Sequence, residues 1–128
     1  MDPVLKRLYP AFLRVHLLHH AAEGCIYGSQ MIDELGRHGY RLSPGTLYPI
    51  LHALERAGYL SAHRETIAGK ARKYYEITAP GKKVLREIRG KLAELAREVL
   101  PEEPSAAAGK SARKSGRKDA KKRDGAPA

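Results

Sequence analysis

The stretch Leu42-Ser43-Pro44-Gly45-Thr46-Leu47-Tyr48-Pro49-Ile50-Leu51 decides how this chain folds. Ser43 followed by Pro44 has the form of a helix N-cap with proline at the first helical position, where a missing N–H removes no hydrogen bond. Leu47, Ile50, Leu51 and Leu54 then recur at i, i+3, i+4 and i+7, the apolar face of a helix that Gly58 stops. The residues that this face does not use (Ser43, Pro44, Gly45, Thr46 and Tyr48) are small or carry hydroxyls. Pro49 breaks a local rule: it has no N–H for the Gly45 carbonyl, so a kink or tight first turn is expected.

Upstream, Gly28 to Arg37 fits a helix with Met31, Ile32 and Leu35 on one face and Gly36 and Gly39 closing it. A short glycine-containing turn, Arg37 to Leu42, joins it to the next helix, as in a helix-turn-helix. In that unit the N-terminal residues of the second helix reach base edges in the major groove. Ser43, Gly45, Thr46 and Tyr48 are therefore candidates to contact DNA, and His52, one turn further on, can reach a phosphate. The competing reading makes Ser43 a simple cap and Tyr48 a packing residue. Further upstream, Leu5 to Glu23 is apolar at helical spacing (Leu5, Leu8, Phe12, Val15, then Leu17-Leu18) and ends at Gly24. Pro10 predicts either a kink or a helix that begins near it.

Downstream, Tyr59 to Thr66 and Arg72 to Thr78 are rich in Tyr, Ile and Thr and flank Ile67-Ala68-Gly69-Lys70-Ala71. They read as a β-hairpin whose loop is longer than the tightest turns. Three helices followed by a hairpin is the order of a winged helix-turn-helix: mainly α, with a small β-hairpin wing. A last helix is expected from Ala79 to Leu100, capped by Thr78 and stopped by Pro101. Its apolar residues Leu85, Ile88, Leu92, Leu95 and Val99 are spaced three, four, three and four, the pattern of a coiled-coil seam. The economical partner is the same helix of a second copy; packing on the first helix of its own chain is the alternative. The predicted organisation is a DNA-binding domain over 1–78, a dimerisation helix over 79–100 and a disordered basic tail over 101–128.

The net charge of +10 is unevenly held: Ser105 to Ala128 carry eight Lys/Arg against two Asp, a net +6, which leaves +4 for the other 104 residues. Excess positive charge favours polyanions, nucleic acid above all. No apolar run approaches the length of a membrane helix, and Met1-Asp2-Pro3 does not begin a signal-peptide layout, so a cytoplasmic protein without membrane association is expected. Cys25 is the single cysteine, which excludes an internal disulfide and a four-cysteine zinc site within one chain.

The string from Leu42 to Leu51, continuing through Leu54-Glu55 and Gly58-Tyr59-Leu60, resembles the signature of the PadR family of bacterial transcriptional regulators. Tyr27-Gly28, Arg72-Lys73-Tyr74-Tyr75, Thr78 and Gly81 resemble that pattern too, so the likeness spans roughly residues 8 to 100. The single last helix is similar to the shorter PadR subgroup. The resemblance implies a winged helix-turn-helix homodimer, a repressor acting on a palindromic operator in double-stranded DNA, with its first and last helices at the dimer interface. Phe12 would join Leu85, Ile88, Leu92, Leu95 and Val99 there. By position, DNA contacts fall on Tyr27, Ser29, Ser43, Thr46, Tyr48 and a wing of Gly69, Lys70, Arg72 and Lys73. Some relatives hold planar drugs between tryptophans at the dimer interface. This chain has no tryptophan, so a small-molecule effector of unidentified chemistry would have to be held differently. The basic tail departs from the family pattern; it either adds sequence-independent affinity, the favoured reading, or keeps the protein soluble.

Other chemistry has little support. His16, His19 and His20 lie at i, i+3 and i+4, but with no acidic or cysteine companion nearby they read as packing or surface histidines, and neither metal nor cofactor is expected. Cys25 as a redox sensor would need a lowered pKa that no sequence feature provides. No phosphate loop, nucleophile elbow or oriented acid/base pair is present, so an enzyme is not expected. A winged helix binding RNA or protein, and an architectural protein coating DNA, are the remaining alternatives; both predict indifference to duplex sequence.

Overall fold

The structure, a computed structural model, describes residues 1–102. The expected disordered tail, apart from Pro101 and Glu102, lies outside the described residues. The elements run α1 (Pro3–Glu23), α2 (Gly28–Arg37), α3 (Pro44–Arg56), β1 (Leu60–Ile67), β2 (Lys70–Ile77) and α4 (Ala79–Val99). Packing defines one unit over Met1–Leu92, and the described residues from Ala93 to Glu102 belong to a second.

Local chemistry sets the helix ends. α2 and α3 each stop in a Schellman turn. After α2, Gly39 at φ +90° donates to the Gly36 carbonyl (3.1 Å) and Tyr40 N–H to that of Leu35 (3.0 Å); after α3, Gly58 at φ +88° donates to Glu55 (2.9 Å) and Tyr59 to Leu54 (3.0 Å). Both glycines sit in the left-handed region that side chains disfavour. Of the two alternatives for α1, a start near Pro10 is the one that does not hold. The Asp2 carboxylate accepts from Val4 N–H at 2.7 Å and caps a helix running from Pro3 through Pro10. Pro49 likewise lies inside α3, on its exposed side, where water is free to reach the Gly45 carbonyl.

The hairpin is tighter than expected. Ile67 pairs with Lys70, which leaves only Ala68-Gly69 between the strands. Both have positive φ, +52° and +78°, as a two-residue type I′ turn requires. An alanine at the first of these positions carries no sequence signal for such a turn. Ile26 adds one bridge outside the hairpin, exchanging both backbone hydrogen bonds with Tyr75 (2.9 and 2.8 Å). That places Tyr27 beside Tyr74.

The core joins Leu13, Leu17, Leu18 and Ala21 of α1 to Met31 and Leu35, to Leu47, Ile50, Leu51 and Leu54, and to Ile26, Leu60, Tyr75 and Leu85. The face of α3 expected to be buried is buried. α1 buries Leu13, Leu17 and Ala21, while Leu5 and Leu8 stay exposed and Phe12 and Val15 half-buried. Leu85, 2% exposed, is held in the core of its own chain, which is the alternative reading of the stripe at this depth. Ile88 packs partly against that core. The exposed part of the stripe is Leu92, Leu95 and Val99. α4 is docked at its start by Thr78, whose hydroxyl donates to the Gly58 carbonyl (2.6 Å) and accepts from Gly81 N–H (3.1 Å). A Cβ at Gly81 would overlap the Tyr59 carbonyl oxygen, so this close approach requires glycine.

Candidate nucleic-acid interface

The candidate residues fall into three places. The first is the exposed N-terminal turn of α3. Ser43 is the N-cap, with its backbone carbonyl accepting from Thr46 and Leu47 N–H, both at 3.0 Å. Its hydroxyl does not cap the helix; it lies 3.3 Å from Thr46 Oγ1. Pro44, Gly45 and Thr46 are exposed. This turn therefore presents two hydroxyls and a backbone without a side chain at Gly45, free of any packing duty. Ser43 also edges a shallow hollow lined by Ile32, Gly36, Tyr40 and Leu42.

The second place is a concavity of about 360 Å³ between the start of α2, the middle of α3 and the hairpin. It gathers six of the predicted residues: Tyr27, Ser29, Tyr48, His52, Arg72 and Lys73. Tyr48 is half-buried, and its phenol lies so close over Gly28 that a Cβ there would overlap it. The pairing of Tyr48 with Gly28 is thus a steric one, and the packing reading of Tyr48 accounts for most of its ring. Arg72 stacks its guanidinium 4.3 Å from the centre of the Tyr27 ring, and Tyr27 meets Tyr74 edge-on at 5.4 Å. The stack holds the Arg72 charge in place at the mouth of the concavity without neutralising it. Lys73 is differently placed: its ammonium lies 3.4 Å from Glu55 on α3, which offsets its charge. The opening N–H groups of α2 lack acceptors within the helix, and Ser29 adds a hydroxyl beside them.

The third place is the hairpin tip, where Gly69 and Lys70 are exposed and outside the concavity. Four lining residues, Gly28, Arg64, Ala71 and Tyr75, are not among the predicted contacts. Arg64 pairs across the hairpin with Lys73, so strand alternation from Leu60 would have found it. Tyr75 is fully buried, and that desolvation pushes its phenol above the ordinary value of 10 against the opposing pull of Lys73.

Two other groups stand out in the sequence. Cys25 is exposed, yet desolvation and then Glu76 and Glu65 raise its pKa above 9.0, the opposite of an activated thiol. The α1 histidines do have acidic neighbours, contrary to expectation: Glu23 on α1 and Glu34 on α2. Burial and then His38, His20 and His19 lower the His16 pKa below 6.5, outweighing Glu34.

Comparison with known proteins gives a consistent result. The model of the transcriptional regulator PadR-like family matches residues 17–87, over half of the chain. Transcriptional regulator Rv3488 of Mycobacterium tuberculosis is 48% identical over 96 residues, which covers 75% of this chain and 90% of that protein. A PadR family regulator from Eggerthella lenta superposes with a TM-score of 0.66 at 31% identity, covering 75% of this chain and 85% of that one. A PadR-like transcription factor from Bacteroides fragilis gives 0.65 at 29% identity, covering 77% and 96%. These relatives are regulators and not enzymes, and no helix among the described residues is long and apolar enough to cross a membrane.

Proposed function

This chain belongs to the PadR-like family of transcriptional regulators, and on that premise we propose that it is a sequence-specific repressor binding a palindromic operator in double-stranded DNA as a homodimer. The observation that carries the reading is the first turn of α3: Ser43, Gly45 and Thr46 are exposed, do not belong to the core and stand at the N-terminus of a helix. A helix tip of this size fits the major groove, where hydroxyls read base edges and a bare glycine lets the backbone approach. The N-terminus of α2, Arg64 and Arg72 in the concavity, and Lys70 at the hairpin tip supply phosphate contacts that fix the register without reading sequence.

Dimerisation rests on exposed apolar surface. Leu92, Leu95 and Val99 on α4 are 41%, 56% and 61% exposed at coiled-coil spacing, and Leu5 and Leu8 of α1 form a second exposed stripe. Pairing with a second copy by a two-fold axis buries such stripes and presents two α3 tips to successive major grooves about 34 Å apart. Phe12, half-buried on α1, completes this interface. The reading is tested by selecting bound duplexes from a randomised pool. Enrichment of an inverted repeat with half-sites about one helical turn apart is expected; uniform retention of the pool would contradict it.

A further inference from the structure

Away from the concavity, α1 and the end of α2 bring three imidazoles together. His16 and His20 lie one turn apart on α1, and His38, the C-cap of α2, stacks on His16 with ring centroids 5.1 Å apart. One nitrogen from each ring lies within 4.8 Å of the other two. Glu34 borders the group, its Oε2 3.4 Å from His38 Nε2 and 3.9 Å from His20 Nε2. Arg37 holds the other oxygen of that carboxylate at 3.0 Å, which keeps Oε2 turned toward the imidazoles. His20 Nε2 is itself buried with no hydrogen-bond partner among the described residues, an unusual state for a ring nitrogen.

We propose that His16, His20 and His38, with Glu34 as the fourth ligand, form a zinc site. Zinc takes imidazole nitrogen and carboxylate oxygen in a four-coordinate tetrahedral shell. Histidines at i and i+4 on one helix face are a proven way to hold two of the corners. With bonds of about 2.0–2.1 Å, tetrahedral ligand atoms stand about 3.4 Å apart; side-chain rotations that move the three nitrogens by about an ångström reach that spacing, and a further rotation of Glu34 brings in the fourth ligand. Three nitrogens to one oxygen favour a borderline metal over magnesium or calcium. The second grouping on α1, His19 with His20 and Glu23, is poorer, because the Arg89 guanidinium lies 3.2 Å from His19 Nδ1 and opposes a cation there. The proposed ion ties α1 to the C-cap of α2, where the turn leading into α3 begins. It does not depend on the DNA-binding reading.

The test uses the full chain without an affinity tag, titrated with Co²⁺ as a spectroscopic stand-in and then with Zn²⁺ as competitor. One equivalent of Co²⁺ per chain, with the visible absorption of a tetrahedral site that Zn²⁺ abolishes, is the expected result. His38→Gln should lower the affinity at least about tenfold, while His19→Gln should leave it unchanged. His38 is exposed, so its variant tests ligation apart from folding; His16→Gln provides a second loss on α1. Absence of a tetrahedral cobalt spectrum, undiminished binding by His38→Gln, or loss of binding in His19→Gln would overturn the assignment.

Discussion

Replacing Arg72 with alanine separates the charge that the proposed function sets against phosphate from its ion-paired neighbour Lys73. Arg72 is positioned by its stack on Tyr27 at 4.3 Å, and among the described residues no carboxylate lining the concavity neutralises it, whereas Lys73 lies 3.4 Å from Glu55. Removing one cation from a phosphate lowers the slope of log K against log salt by about 0.9. Two copies in a dimer give a change of about 1.8, hence a loss of roughly 60-fold in affinity at 0.1 M salt and roughly 20-fold at 0.2 M. Fluorescence anisotropy with a labelled operator over a salt series measures both quantities at once. Arg72→Lys keeps the charge and should retain most of the slope while losing the planar stack. Lys73→Ala should change the slope far less than Arg72→Ala. An unchanged slope in Arg72→Ala, or equal slopes for the two alanine variants, would refute the reasoning.

Other expectations concern packing, assembly and the thiol. Leu85→Ala, which empties a core position 2% exposed, should destabilise by about 2–5 kcal/mol in chemical denaturation. Gly28→Ala pushes a Cβ into the Tyr48 phenol and should cost about 1–3 kcal/mol, weakening DNA binding through the displaced α2 N-terminus. Leu92→Asp, at an exposed position, should yield folded monomers in sedimentation; a persistent dimer would remove the α4 seam. Because the Cys25 pKa lies above its ordinary 9.0, the thiol is protonated at neutral pH. Iodoacetamide labelling should therefore be slow at pH 7.5, rise about tenfold per pH unit and still not level off at pH 9; fast labelling at neutral pH would contradict the desolvated environment.

What can be read in the sequence is what local chemistry fixes. The bounds of α2 and the capped start of α3 follow from Ser43-Pro44 and from glycines two positions beyond each helix end, and those signals act within a few residues. At Pro10 the sequence leaves two alternatives open, and the Asp2 cap decides against a helix that begins there, since a helix can carry a proline on its exposed side. The hairpin turn departs from its sequence reading because Ala68 in a left-handed conformation gives no sequence signal. Tertiary partners are out of reach. Leu85 shares the spacing of Leu92, yet only packing assigns one to the core and the other to solvent. Lys73 and Arg72 are adjacent cations, and strand alternation sends one toward Glu55 and the other onto Tyr27. The histidines of α1 lack companions in sequence because His38 and Glu34 arrive from α2.

The central claim is that the exposed first turn of α3 reads base sequence while the surrounding cations bind backbone. Its most direct test is the ratio of affinities for a selected operator and a scrambled duplex at fixed salt, for the wild type and for Ser43→Ala/Thr46→Ala. The account predicts a wild-type ratio of roughly a thousand or more, with a fall of about 1–3 kcal/mol for each base that is no longer read and an unchanged salt slope in the double variant. A wild-type ratio near one, or a double variant that keeps the full ratio, would contradict it.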